Sequence, residues 1–208
     1  METTLDSSKD EQMRKLVLQM QTSVDGYVSA ADSDLAWQVW DWTGRWPWDK
    51  ALKADFNALL EPIDCILLSR KMAEEGYIDH WTHASRRFPA DQSYAFAKKI
   101  VDAQKVILTN KLASAHWDRT AIARGGLAPE VNALKRKRGR TIVCFGGVGF
   151  ASALLREGLV DELQLFVNPM AVGDGRSIFA DARGGMRLRL LASTAYACGI
   201  VVNRYQPC

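Results

Sequence analysis

No run in this 208-residue chain approaches the roughly 20 consecutive apolar residues that a membrane span requires. Residues 1–11 are polar and acidic, with no apolar core and no small-residue cleavage pattern, which argues against a secretory leader. Cysteine is sparse. Cys65, Cys144, Cys198 and Cys208 form no C-x-x-C pair, and three of them sit inside apolar, strand-like runs. We therefore expect buried, reduced thiols in a cytoplasmic protein, and no disulfide scaffold. Histidine is scarcer still: His80 and His83 lie three apart, in a stretch without cysteine and without a helical apolar pattern. They read as a solvent-exposed pair, and no metal site is expected. No G-x-S-x-G or Cys–His nucleophile arrangement is present. Repeats, low-complexity tracts and domain linkers are also missing. The expected organisation is a disordered leader over 1–13 and a single folded domain over 14–208.

What is present suits an ordinary globular enzyme: 48% apolar and 25% charged residues, enough to bury a core without metals or cross-links. The formal net charge of +3 would suit an anionic ligand without indicating a nucleic acid. A basic run, Lys135, Arg136, Lys137 and Arg138 with Arg140, reads as a solvated helix C-terminus favoured by the helix dipole. It lacks the interleaved aromatics of a single-strand binder.

Apolar periodicity orders the chain. Residues 15–20 predict a first strand running into an Asp25-Gly26 turn. Five of the seven tryptophans follow: Trp37, Trp40, Trp42, Trp46 and Trp48. Such density fits a satellite core under a loop, the wall of a pocket for a flat ligand, or both, with Trp37 and Trp40 as candidate substrate contacts. A helix is predicted over 50–60, closed by Pro62, then a strand over 63–68 that turns into a short helix at 69–75 stopped by Gly76. Further helices are predicted over 91–101, 129–137 and 150–155, and strands over 105–109, 140–145 and 162–167. A closing antiparallel hairpin at 188–191 and 199–205 completes a mixed sheet flanked by helices.

Three of these junctions could carry chemistry. At 141–155 a strand, a glycine-rich turn and a helix follow one another, so backbone N–H groups and a helix dipole face any anion held there. The spacing matches the Rossmann fingerprint imperfectly. The acid expected at the end of the next strand is replaced by Asn168-Pro169, so a true Rossmann domain is disfavoured. At Ser69-Arg70-Lys71 a hydroxyl and two cations meet a helix start, an electrostatically unfavourable place for cations unless an anion joins them. Thr109-Asn110-Lys111 repeats the pattern at another strand end, the edge where open α/β sheets bind ligands.

Taken in order, the DGYV loop (25–28), ILLSRKM (66–72), VILTN (106–110) and the block CFGGVGFASALLREGLVDELQLFVNPMAVGDGRSIF (144–179) resemble dihydrofolate-reductase-like proteins. The last block is similar to the RibD C-terminal branch in particular. The resemblance covers 14–205. It implies an α/β, three-layer fold whose central sheet is mixed and mostly parallel, with an antiparallel C-terminal hairpin, and NADPH across the sheet's C-terminal edge. It further implies that Ser69, Arg70 and Lys71 meet the adenosine-side phosphates and that Thr109 and Asn110 meet the adenine ribose region. Gly146, Gly147, Val148, Gly149 and Phe150 would cradle the pyrophosphate and nicotinamide half. The loop 22–28, beginning at Thr22, would cover the nicotinamide.

The activity implied is that of a cytoplasmic, homodimeric NADPH-dependent oxidoreductase acting on a pterin, a riboflavin precursor (as a 5-amino-6-(5-phosphoribosylamino)uracil reductase does) or a small imine or carbonyl compound. Reduction of a C=N bond also needs a proton source. Asp25, Asp55 and Asp41 are the candidates, and Asp25 also reads as a plain turn residue before Gly26. The alternative function is a non-catalytic nucleotide- or nucleic-acid-binding protein on the same fold, using the basic run.

Overall fold

The computed structural model describes residues 13–38, 47–182 and 184–208. Apart from Met13 the expected leader lies outside them, as do Trp40, Asp41, Trp42 and Trp46. In chain order the elements are β1 (Leu16–Ser23), β2 (Ser29–Ala30), α1 (Lys50–Leu60), β3 (Ile63–Ser69), α2 (Arg70–Glu74) and α3 (Tyr77–Arg87). A 3₁₀ turn (Gln92–Tyr94) leads into α4 (Ala95–Asp102), β4 (Gln104–Leu108), β5 (Thr120–Ala123), α5 (Leu127–Arg136), β6 (Thr141–Cys144) and α6 (Val148–Arg156). The chain ends with β7 (Glu162–Asn168), β8 (Gly175–Arg176), β9 (Leu188–Ala195) and β10 (Val201–Pro207).

One eight-stranded sheet runs in the order β5-β4-β3-β6-β1-β7-β10-β9. Strands β5 through β7 in that order are mutually parallel. β10 lies antiparallel to both β7 and β9. The fold is the expected α/β, dihydrofolate-reductase-like one, with its mixed sheet and C-terminal hairpin. Its two faces carry separate cores. Alternate residues of β1 separate them: Val17 joins Leu52, Phe56 and Leu60 of α1, Ile78 and Trp81 of α3, and Phe96 and Ile100 of α4. Leu16, Leu18 and Met20 face Val131 and Leu134 of α5 and Ala151, Leu154 and Leu155 of α6.

Local chemistry explains where the helices begin and end. The Asp49 carboxylate accepts from Leu52 N (2.9 Å) and caps α1, whose buried Leu52, Phe56 and Leu60 recur every fourth residue. Ser69 caps α2 through Met72 N (3.2 Å). Gly158, at φ +64°, terminates α6 in a conformation that disfavours other residues.

Two sequence expectations need correction. Residues 77–87 form a helix, α3, that the histidine and arginine content concealed. Its inward residues Tyr77, Ile78, Trp81 and Ala84 do keep helical spacing, and Gly76 at φ +90° separates two helices instead of ending the helical region. His83 is exposed as expected, but His80 is half-buried with its ring 4.6 Å from that of Trp81. The basic run is not uniformly solvated either. Lys135 is buried and its Nζ lies 2.6 Å from Asp161 Oδ2. Arg136, Lys137, Arg138 and Arg140 are exposed, before β6 and so at the opposite end of the strands from their C-terminal edge.

Candidate active site

The chain leaves β1 for one side of the sheet (β3, β4, β5) and returns through β6 and β7, which flank β1. A crevice opens where such directions diverge, at the strands' C-terminal ends. There lies a cavity of about 390 Å³. Its floor is Gln19, Met20 and Gln21 of β1 and Phe166 of β7. Trp48, Phe56, Tyr77 and Trp81 form a wall, and Phe145, Gly146, Gly147 and Val148 form the opposite rim. The wall is made rigid by its own packing. Trp48 stacks on Phe166 at 5.5 Å and meets Phe56 edge-on at 5.2 Å, while Tyr77 packs on Phe145 at 5.8 Å. Flat faces held in this way favour a planar ligand.

The rim is the glycine turn. Gly147 is the N-cap residue of α6, with no side chain capping the helix, so its first N–H groups remain open to an external acceptor. Gly146 sits at φ +123°, and a Cβ there would stand 3.4 Å from Met20 Cε; the Gly146–Gly147 peptide is cis. A Cβ on Gly147 would meet nothing within 4 Å, and one on Gly149 would approach only Arg176 Nη2, at 3.9 Å. An anion at this helix start therefore meets free backbone donors and a guanidinium. The residues present suit a pyrophosphate.

Along the same edge, Ser69 caps α2 and Arg70 and Lys71 begin it, and both cations are paired with carboxylates four residues on. Arg70 bonds Glu74, and Lys71 Nζ lies 3.4 Å from Glu75 Oε1. An incoming phosphate would compete with those carboxylates, at exposed positions where such pairs contribute little. Thr109 continues β4: its N–H donates to Ala123 O, and its Oγ1 accepts from Lys111 N at 3.0 Å, with Asn110 exposed beside it. Thr22 is buried within β1, in register with Val167. Phe150 is half-buried against the α5–α6 core.

The acids are placed differently. The Asp25 carboxylate accepts from Ser23 Oγ (2.5 Å) and from the N–H groups of Val172 and Gly173 (3.1 and 2.8 Å). The Ser23 hydroxyl first, then the Gly173 amide, hold its pKa below the ordinary value. Asp55 accepts from Tyr196 OH at 2.7 Å, fastening α1 to the β9–β10 turn. Neither is among the residues lining the cavity, where Glu75 is the one carboxylate among the described residues. Trp37 is buried but does not line the cavity, whereas its neighbour Gln38 does.

Several lining residues had escaped the sequence reading: Gln19, Gln21, Tyr77, Trp81 and Phe145, as had Arg176, which lies beside the glycine turn without lining the cavity. The signal for the first two was present, as glutamines at i and i+2 in the otherwise apolar LVLQMQ strand. The tetrapeptide YIDH gave no such sign. Among the described residues no cluster of His, Cys, Asp or Glu could hold a metal ion.

A mixed, mostly parallel sheet with an anion-ready glycine turn and an aromatic crevice at one edge is the architecture of a dihydrofolate-reductase-like α/β protein. More narrowly, residues 14–202 match the RibD C-terminal domain model, and the chain belongs to that family. It is 22% identical over 188 residues to the uncharacterised protein YyaP of Bacillus subtilis, covering 90% of this chain and 92% of that one. To the riboflavin biosynthesis protein RibD of Corynebacterium ammoniagenes it is 25% identical over 175 residues, 83% of this chain but 48% of RibD, so it spans about half of that relative's length. Among solved structures, a putative riboflavin biosynthesis protein from Shewanella sp. PV-4 superposes with a TM-score of 0.66 at 19% identity, covering 93% of this chain and 99% of that one. The dihydrofolate reductase of Enterococcus faecalis, complexed with NADP(H), superposes with a TM-score of 0.54 at 14% identity, covering 93% and 96%.

Proposed function

We propose that this protein is an NADPH-dependent reductase of a small planar heterocycle or of an imine or carbonyl compound, of pterin or riboflavin-precursor type. The observation that carries the reading is the junction of two features. The glycine turn capping α6, with Arg176 beside it, forms one rim of the aromatic cavity. The glycine turn would hold the pyrophosphate of a dinucleotide, and the Trp48–Tyr77–Trp81 wall would hold a flat substrate in the adjoining cavity. The cofactor supplies the hydride. The chain supplies the rest: Val148, Gly149 and Phe150 give backbone donors at the helix start, and Arg176 gives charge. Ser69, Arg70, Lys71, Thr109 and Asn110 hold the adenosine half, the Arg-Lys pair suiting a 2′-phosphate. The aromatic wall excludes water and fixes the ring plane.

We assign Asp25 to holding the loop over the site and Asp55 to docking the hairpin. Among the described acids, this leaves Glu75 at the cavity to serve the proton step. Glu75→Gln is expected to lower kcat by about a hundredfold with NADPH bound no more weakly, since the change also frees Lys71 from its carboxylate partner, and an unaltered kcat removes Glu75 from that role. Free thiols at all four cysteines fit a reducing, cytoplasmic setting. No helix among the described residues is long and apolar enough to cross a membrane.

Titration with NADPH and with NADH, followed by quenching of tryptophan fluorescence, tests the reading. Micromolar NADPH binding, much weaker NADH binding, and loss of both in Arg70→Ala/Gly147→Asp are the expected results. Absence of binding by either nucleotide overturns it.

A further inference from the structure

Gln19 and Gln21 project from the same face of β1, two residues and so about 6–7 Å apart, and both line the cavity. A carboxamide offers an acceptor at one end and a donor at the other, and which end faces a ligand is set by what holds the opposite end. Here the two amides are held in opposite senses.

Gln19 belongs to a chain of hydrogen bonds that crosses three strands in register. Arg204 Nε donates to Glu162 Oε1 at 2.8 Å. Gln164 Nε2 donates to the same oxygen at 2.8 Å, and Gln19 Nε2 donates to Gln164 Oε1 at 2.8 Å. The direction of this chain has a cause. Burial pushes the Glu162 carboxyl up, but the hydrogen bonds from Arg204 and Gln164 more than offset it, and the net value is lowered. The group stays ionised and can only accept. It therefore draws the NH₂ of Gln164, which turns Gln164 Oε1 toward Gln19. Gln19 must answer with its nitrogen, and its Oε1, which no other described residue engages, is left for the cavity.

Gln21 is fixed from a different anchor. Asn168 is fully buried, and its Nδ2 donates to the backbone carbonyls of Phe166 (3.1 Å) and Thr22 (3.3 Å). Those carbonyls only accept, so the NH₂ of Asn168 is turned to that side, and it shares one of its two hydrogens with Gln21 Oε1, at 3.3 Å. Gln21 Nε2 is left for the cavity. The β1 floor thus presents one acceptor and, two residues on, one donor, beneath aromatic faces. Among the described residues lining the cavity the one carboxylate is Glu75 of the α2–α3 junction, on neither β1 nor α1.

We propose that Gln19 and Gln21 determine specificity in this pocket by reading a neutral planar ring. Such a ring offers an N–H to Gln19 Oε1 and a carbonyl or ring nitrogen to Gln21 Nε2, as a lactam or cyclic imide does. Glu162 and Asn168 act as positioning residues that set the sense of the two amides. The proposal rests on the crevice being the substrate site.

The test uses the full chain and two probes, pteridine-2,4-dione and its 1,3-dimethyl derivative, which keeps both carbonyls and lacks both N–H groups. Binding is measured by calorimetry, with folding of every variant checked by circular dichroism. For the unaltered protein the dimethyl derivative is expected to bind at least tenfold more weakly. In Gln19→Met the two probes should bind within about twofold of each other, because the acceptor that distinguishes them is gone. Glu162→Gln should also shrink the ratio, since an amide there no longer dictates the sense of the chain. Gln21→Met should weaken both probes severalfold and leave the ratio intact. The proposal is overturned by equal affinities in the unaltered protein, by binding of neither probe, or by a ratio that persists in Gln19→Met, which would mark simple exclusion of the methyl groups. The NADPH titration reads the cofactor edge separately. NADPH binding with no discrimination between the probes rejects the amide reading alone, whereas loss of NADPH binding rejects the reductase reading.

Discussion

At the scale of single residues, the chemistry depends on what each polar atom is already bonded to. Asp25 illustrates this. As the acid of a D-G turn it was legible in the sequence both as a turn residue and as a proton donor. Its contacts with Val172 and Gly173, almost 150 positions away, could not be read locally. Because its folded pKa lies below the ordinary Asp value, the clamp is complete above that value and is lost as the pH falls through the lowered one. The Gly173 amide resonance is therefore expected to titrate with an inflection below about 3.9, and an inflection at or above that value contradicts the clamp. Asp25→Asn should speed hydrogen exchange at Val172 and Gly173 without moving the global unfolding midpoint. The cysteines obey the same logic. Burial raises Cys65 to about 11 and Cys144 to about 12, so neither should react with iodoacetamide at pH 8 until the protein unfolds, whereas exposed Cys208 should react in the native state. Rapid native-state alkylation of Cys144 would show that its strand opens.

Among the elements, those with clean apolar periodicity were legible: α1, β3, β6, α6 and β7 lie within a residue or two of their expected bounds. α3 and β5 were not. The inward face of α3 is flanked by half-buried His80 and Thr82, and β5, a four-residue edge strand, has too few buried side chains to impose a pattern. The tight pairing of β2 with β8 was equally silent, yet it positions Arg176 beside the glycine turn. A Cβ on Gly175 would fall 2.0 Å from Ser29 O, so Gly175→Ala must force the two short strands apart. The expected result is NADPH affinity reduced severalfold, with global stability changed by less than about 1 kcal/mol. Wild-type affinity would show that this pairing does not position Arg176. Lys105 closes another element. It is 2% exposed, and its Nζ donates to Val101 O (2.6 Å) and Ala103 O (2.9 Å), satisfying carbonyls at the end of α4. Lys105→Met leaves those carbonyls without their donor and is expected to cost about 1–3 kcal/mol in urea unfolding.

For the whole molecule, the question is what covers the far edge of the sheet. β9 is a border strand separated from β1 by β7 and β10, and every one of its residues after Leu188, that is 189–195, is exposed, including Leu190 at 54% and Leu191 at 41%. Long exposed edges with apolar side chains are a liability that proteins cover or blunt. The register shift of the hairpin at Arg204/Tyr205 kinks this edge, which opposes continuation of the sheet by another strand and favours side-chain contact across it. A homodimer joined through Leu190 and Leu191 would meet both conditions. Light scattering should then give twice the 23.2 kDa chain mass, and Leu190→Lys/Leu191→Lys should give the monomer. Because the cavity lies at the ends of β1 and β6, the monomeric variant should still bind NADPH with unchanged affinity. A wild-type monomer at every concentration rules out pairing through this edge. Loss of NADPH affinity in the variant would instead mean that the second subunit supports the cofactor edge.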